Sequence, residues 1–193
     1  HWGAVIRIEH CIDKLTNMQL ATFDAELERE REEFSPWGGL SYVEPTLKLE
    51  YPDGNRDLCL QYVSHEIDTG DKTSLLSIIL KDPKYPCEVV LYYKVIKDYD
   101  LIERWVEIKN KGKEAITLES VLSAAWNIPL LKQYRFTHTA GRWGMESQLK
   151  RTILTEGKKI IESRRGITSH QTSPWFALDN GEASETYGEV WFG

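Results

Sequence analysis

Cys87-Glu-Val-Val-Leu-Tyr-Tyr-Lys-Val-Ile96, followed by Asp100-Leu-Ile-Glu-Arg-Trp-Val-Glu-Ile-Lys109, is the stretch from which the fold can be read. Side chains alternate between the two faces of a strand, and in the first run that period puts Val89, Leu91, Tyr93 and Val95 on one side. In the second run Ile102, Val106 and Ile108 share a side with Arg104, while Leu101 and Trp105 take the other. Asn110-Lys-Gly112 then supplies a turn into Ala115-Ile-Thr-Leu118.

The same grammar extends outward. Ser74 to Leu80 is leucine-rich and β-branched and stops at Asp82-Pro83. Thr46-Leu-Lys-Leu-Glu-Tyr51 alternates, meets Pro52-Asp-Gly-Asn55, and is followed by a second alternating run, Leu58 to Tyr62. An Asp-Gly turn between two such runs predicts a hairpin. Ala4 to Ile8, Lys158 to Ile161 and Glu189 to Phe192 are shorter strand candidates. Turn signals separate strands roughly every 10–15 residues, the spacing of an all-β, antiparallel sandwich. Only Phe23 to Glu33 departs from it. With Leu27 as the one apolar residue near its middle, it reads as a solvated helical turn or charged loop. Without repeats or a linker, residues 1–193 are expected to form one domain.

Composition narrows the function. The chain has 193 residues, 41% apolar and 28% charged, which suits a globular domain with a sizeable core. Its net charge of −6 argues against a nucleic-acid binder, which needs a concentrated basic footprint. No apolar run is long enough to span a bilayer, and no signal segment opens the chain. Cys11, Cys59 and Cys87 are odd in number and widely spaced, as expected of buried free thiols in a reducing, cytoplasmic setting. Seven Trp and nine Tyr against five Phe fit either a β-rich core or sugar-facing and interface surfaces. The chain opens at His1-Trp2-Gly3 and stops inside a strand-like run at Gly193, so it is expected to be a piece of a longer protein.

The usual catalytic constellations find little support. Glu26, Glu28, Glu30, Glu32 and Glu33 are crowded like charges, without the contrast that separates an acid from a base. His10, His65, His138 and His170 are isolated and no Cys pair is closely spaced, so neither a metal nor a cofactor is expected. Ser163 or Ser169 could pair with His138 or His170, but Ser169 and His170 are adjacent and would point to opposite faces of a strand.

Two polar clusters remain: Gly141-Arg-Trp-Gly-Met-Glu146, and Glu162-Ser-Arg-Arg-Gly-Ile-Thr-Ser-His170 with Pro174-Trp-Phe176. Arg142, Arg164 and Arg165 each offer a planar fork to carboxylates, carbonyls or sugar hydroxyls. One reading is an internal network, with Glu146 and Glu162 as partners, that pins long loops. The other has Trp143, His170 and Trp175 facing a partner domain or ligand.

These clusters also carry a resemblance. Trp2-Gly3, Pro36-Trp-Gly38 with Glu44-Pro45, Tyr62-Val-Ser-His-Glu66, Gly141-Arg-Trp143 with Glu146, and Ser163-Arg-Arg-Gly166 with Thr168-Ser-His170 and Pro174 resemble the amino-terminal domain of glycoside hydrolase family 36, the α-galactosidases. Leu122-Ser123 with Trp126, and Gly188-Glu-Val-Trp191, extend the likeness over most of the chain. The resemblance implies a large β-sandwich, a supersandwich, truncated here before its last strands and preceding a (β/α)₈ catalytic barrel beyond Gly193. It implies retaining hydrolysis of terminal α-galactosides in melibiose- and raffinose-like sugars by two barrel aspartates, so no catalytic residue is expected in this chain. It further implies packing against the protein's own barrel and assembly into homo-oligomers, with a loop in the region of Phe23 to Trp37 reaching a neighbour's site in some members. Two alternatives stay open. One is a carbohydrate-binding module stacking sugars on Trp37, Trp143 or Trp175; the other is the sandwich domain of another sugar-processing enzyme.

Overall fold

The computed structural model describes residues 33–37, 44–126, 128, 131–163 and 171–193. The expected strand at Ala4 to Ile8 and nearly all of the Phe23 to Glu33 segment lie outside them. Ten strands are present among the described residues: β1 (Leu47–Glu50), β2 (Gln61–Thr69), β3 (Thr73–Lys81), β4 (Cys87–Ile96), β5 (Leu101–Asn110), β6 (Thr117–Val121), β7 (Arg135–Arg142), β8 (Met145–Ile153), β9 (Thr172–Asp179) and β10 (Trp191–Phe192). All their pairings are antiparallel. The chain divides into two compact units, His1–Asn127 and Ile128–Gly193.

In the first unit, β2-β3-β4-β5 form a four-stranded meander. Register places Leu80, Val89 and Ile108 in one row across it, and Ile78, Leu91 and Val106 in the next. These rows pack with Leu47 and Leu49 of β1 and with Phe34, Tyr51, Leu58 and Leu60, making a two-layer core closed on its far side by the β1-β6 pair. Each large side chain fully buried there contributes roughly 1.5–3 kcal/mol. The opposite face of the meander is more polar, although Val90 on it is buried. Tyr92 stacks on Trp105 across β4 and β5 at 4.9 Å. Lys94 pairs with Glu103 at 3.3 Å, and Glu88 lies between Lys81 and Lys109. Opposite charges directly across strands support the ladder.

The hairpin expected around Pro52-Asp-Gly-Asn55 does not form as predicted. The turn itself is present: the Gly54 N–H donates to the Tyr51 carbonyl at 2.9 Å, and the Asn55 N–H donates to the Asp53 carboxylate at 3.0 Å. However, β1 pairs with β6, and pairing after the turn begins only at Gln61, with β3. Leu58 and Leu60 are core residues on irregular backbone, and the Leu58 N–H is satisfied by the Trp37 carbonyl at 3.2 Å. Burial of two leucines and a distant strand partner outweigh the local turn signal. Lys158 to Ile161 is likewise irregular rather than a strand.

The second unit is a four-stranded sheet in the order β10-β9-β7-β8. Phe136 and Phe176 stack at 6.1 Å on one face. On the other, the Arg135 guanidinium grips Asp179, with Nε at 3.0 Å from Oδ2 and Nη2 at 3.0 Å from Oδ1, and Nη2 also donates to the Ala183 carbonyl at 2.7 Å. The Gly181 N–H donates to Asp179 Oδ1 at 2.6 Å, so this buried carboxylate is satisfied on both oxygens.

Candidate functional site

Arg142, Trp143 and Glu146 come together at the tip of the β7–β8 hairpin. Arg142 pairs with Met145 across a two-residue loop, Trp143-Gly144. The second loop position has φ +77, a conformation glycine adopts at no steric cost. The Gly144 N–H donates to the Glu146 carboxylate at 2.7 Å, and the Arg142 guanidinium lies 3.4 Å from the Met145 sulfur. Behind the loop, the register skips between Ala140 and Arg142, setting Glu146 and Ser147 opposite Gly141. Ser147 takes a left-handed φ of 55. A Cβ at Gly141 would stand 2.2 Å from the Met145 carbonyl oxygen, so only glycine fits. At the end of this tip Trp143 is 86% exposed.

Trp175 lies on β9 of the same sheet, 39% exposed. Trp37 belongs to the first unit. Its N–H donates to the Leu47 carbonyl at 3.1 Å, and its ring is flanked by two cations, with the Arg56 guanidinium 5.1 Å and the Lys48 ammonium 5.8 Å from the ring centroid. Arg56 is itself held by Glu50 and Glu119, at 2.5 and 3.2 Å. Hydrogen bonding to Glu50 and the Glu119 charge push the Arg56 pKa up. Trp37 is therefore committed to cation–π contacts rather than held open for stacking. Arg164, Arg165 and His170 lie outside the described residues.

The structure adds a polar lock in the first unit. Arg104, on the core-facing side of β5, forms an ion pair with Glu33, and both side chains are largely buried. The Tyr93 hydroxyl donates to Glu33 Oε1 at 2.8 Å, and the Arg104 guanidinium sits 4.8 Å over the Tyr93 ring. Burial first, and the hydrogen bond to Glu33 second, push the Tyr93 hydroxyl pKa well above its ordinary value. Sequence reasoning placed Arg104 on that face without its partner. The signal was present, since a cation on an apolar strand face calls for a carboxylate.

Acid–base and metal chemistry find no assembled site among the described residues. No group of three His, Cys, Asp or Glu residues is placed to hold a metal ion. Among the described residues, the buried Nδ1 of His138 has no hydrogen-bond partner to orient the ring as a catalytic base requires. No helix among the described residues is long and apolar enough to cross a membrane.

An all-β, antiparallel architecture with a Gly-Arg-Trp hairpin tip agrees with the resemblance drawn above, and comparison with known families decides it. The model of the glycosyl hydrolase family 36 N-terminal domain matches residues 1–193. The chain belongs to that family. It is 30% identical over 175 residues to α-galactosidase AgaA of Geobacillus stearothermophilus, covering 83% of this chain and 24% of that protein. α-Galactosidase Mel36A of Lactobacillus acidophilus is 29% identical over 174 residues, with 82% and 24% covered. Among solved structures, the family 36 α-galactosidase AgaB of Geobacillus stearothermophilus superposes with a TM-score of 0.79 at 29% identity, over 86% of this chain and 25% of that one. An AgaA variant in complex with raffinose superposes with a TM-score of 0.78 at 30% identity, over 83% and 24%. The family 36 domain described here thus spans about a quarter of the length of these relatives.

Proposed function

We propose that this chain is the non-catalytic amino-terminal domain of an α-galactosidase, supporting a catalytic barrel and the assembly of subunits. The observation that carries the reading is the match of residues 1–193 to the amino-terminal domain of family 36, in relatives that are themselves α-galactosidases. Raffinose and stachyose complexes of AgaA variants support terminal α-galactosides as the substrate class. In a retaining enzyme two carboxyl groups about 5–5.5 Å apart act as nucleophile and acid/base, with no cofactor. Those groups would come from the barrel. Among the described residues, the largely buried carboxylates Glu33 and Asp179 are tied up in structural ion pairs. Cys59 and Cys87 are free thiols, which supports a reducing, cytoplasmic setting.

The reading is tested by assaying raffinose hydrolysis with the full-length gene product and with residues 1–193 alone. The full-length protein is expected to be active and the shorter chain inactive. Hydrolysis by residues 1–193, or its absence from the full-length protein, would sink the assignment. A free-standing carbohydrate-binding module is less well supported, because cations already flank Trp37.

A further inference from the structure

We infer that Asn180-Gly181 is a self-modifying site, at which the folded chain itself drives conversion of the Asn180 amide to aspartate and isoaspartate through a cyclic imide.

The reaction needs the Gly181 backbone nitrogen to attack the Asn180 side-chain carbonyl carbon, and the contacts just after β9 serve that step. Asn180 Oδ1 accepts the Glu182 N–H at 2.9 Å. Such a turn folds the side-chain amide back over the peptide that carries the attacking nitrogen. It also sets a donor on the oxygen where negative charge develops. The Gly181 N–H donates to Asp179 Oδ1 at 2.6 Å, short for a bond of this type. A carboxylate is thus placed to take the proton that this nitrogen must lose. Gln133 Nε2 donates to the Asn180 backbone carbonyl at 3.2 Å and polarises the same peptide. Asn180 Nδ2, the leaving nitrogen, donates to Glu182 Oε2 at 3.3 Å. One side-chain contact is with a donor and the other with an acceptor, so the two agree on which end of the amide is oxygen.

Access completes the site. Of the asparagines in the chain, Asn180 alone precedes a glycine, which has no side chain to shield its nitrogen and holds φ +90. Both residues are half-buried, within reach of water. Asn110 provides the contrast. Its Oδ1 accepts the Gly112 N–H in the same kind of turn, at 2.9 Å. There, however, the next N–H belongs to Lys111 and donates to the Pro86 carbonyl at 2.7 Å, which is no base.

As the bond from Gly181 N to Asn180 Cγ forms, the Gly181 proton passes to Asp179. The Cγ–Nδ2 bond then breaks, and the proton leaves with the amine as ammonia, restoring the carboxylate. Water opens the imide at either carbonyl, giving aspartate or, with a methylene added to the backbone, isoaspartate. Either product adds a negative charge beside Asp179, whose grip on Arg135 ties β9 to β7.

The test follows Asn180 in the full-length protein at neutral pH, native and in denaturant, with amide loss and isoaspartate read by peptide mass spectrometry and chromatography. Native conversion is expected to outpace the denatured chain by about tenfold, a modest share of what a positioned base supplies. Asn110 is expected to stay intact over the same period. A native rate at or below the denatured rate overturns the inference, as does native conversion of Asn110 at the rate of Asn180. Asp179→Asn keeps an acceptor for the Gly181 N–H but removes the base, so native conversion of Asn180 should drop to the denatured rate. Unchanged native conversion in that variant also overturns the inference. Hydrogen exchange of the β9 peptide verifies that the variant is folded, and where it is not, the wild-type comparison decides alone.

Discussion

In the first unit Leu47, Leu49, Leu58 and Val89 are almost completely buried between two sheets, although Ile67 and Ile102 stand exposed. In the second, Leu149, Ile153 and Phe192 stand exposed on strands of a single sheet, and Phe136 and Ala177 are the buried apolar residues among those described. Both units fix their irregular segments with a buried or half-buried Arg–carboxylate pair, Arg104–Glu33 in one and Arg135–Asp179 in the other. The difference teaches that the first unit is stabilised mainly by a closed two-layer core, whereas the described strands of the second bury little apolar surface.

The largest expected effect would test that contrast directly. Leu47→Ala should cost about 2–5 kcal/mol through lost burial and the cavity left behind. Leu149→Ala, half-exposed on β8, should change stability by about 0.5 kcal/mol or less. Hydrogen exchange of β4 and β7 peptides in the full-length protein reads each unit separately, and similar losses from the two substitutions would break the comparison. Next come the two locks. Arg104→Ala leaves Glu33 buried without its cation and should cost about 3–5 kcal/mol, while replacing both residues with leucine should recover most of that loss. A double variant as damaged as the single one would show that the pair is more than an ion pair. Asp179→Asn should cost about 1–3 kcal/mol, confined to the second unit's peptides, because Arg135 loses its charged partner.

The smallest effect at neutral pH sharpens the picture of the first unit. Burial pushes the hydroxyls of Tyr51 and Tyr93, and the thiol of Cys87, above their ordinary values, so the folded state holds them neutral. A raised acid contributes its stability fully below its unfolded pKa and loses it as pH climbs toward the folded value. Stability of the first unit should therefore fall as pH rises from about 9 upward. Tyr51 Oη is buried beside the Cys87 thiol and makes no hydrogen bond of good geometry among the described residues. Tyr51→Phe should then be neutral or stabilising by about 1 kcal/mol at pH 7, with a shallower alkaline decline. Thermal melts of the full-length protein between pH 7 and pH 10.5 would show it; an unaltered alkaline slope would remove Tyr51 from the account.

How much could be read from the sequence follows the same division. β4 and β5 were legible because apolar side chains recur with a period of two in Val89-Leu91 and Val106-Ile108, and β3 because a leucine-rich, β-branched run stops at Asp82-Pro83. β7 and β8 were not foreseen. Arg135-Phe-Thr-His-Thr-Ala140 and Met145-Glu-Ser-Gln-Leu-Lys150 carry little apolar contrast between faces, because much of that sheet stays exposed. The Asp53-Gly54 turn was legible, but its strand partners were not, since the choice of β6 for β1 depends on residues far away in sequence. At the candidate site, the Gly-Arg-Trp cluster could be singled out by composition. Its hairpin could not, because the bulge at Ser147 and the close approach at Gly141 are features of register rather than of local preference.

The pairing of β1 with β6 has a consequence for the order of folding. β2 to β5 are joined by short turns and can zip neighbour to neighbour, whereas Leu47–Glu50 must find Thr117–Val121 across the whole meander. Closing so long a loop costs entropy before any contact repays it, which slows assembly. The meander should therefore collapse first and the β1-β6 layer seal it last. Leu47 would then be a residue whose loss speeds unfolding far more than it slows folding.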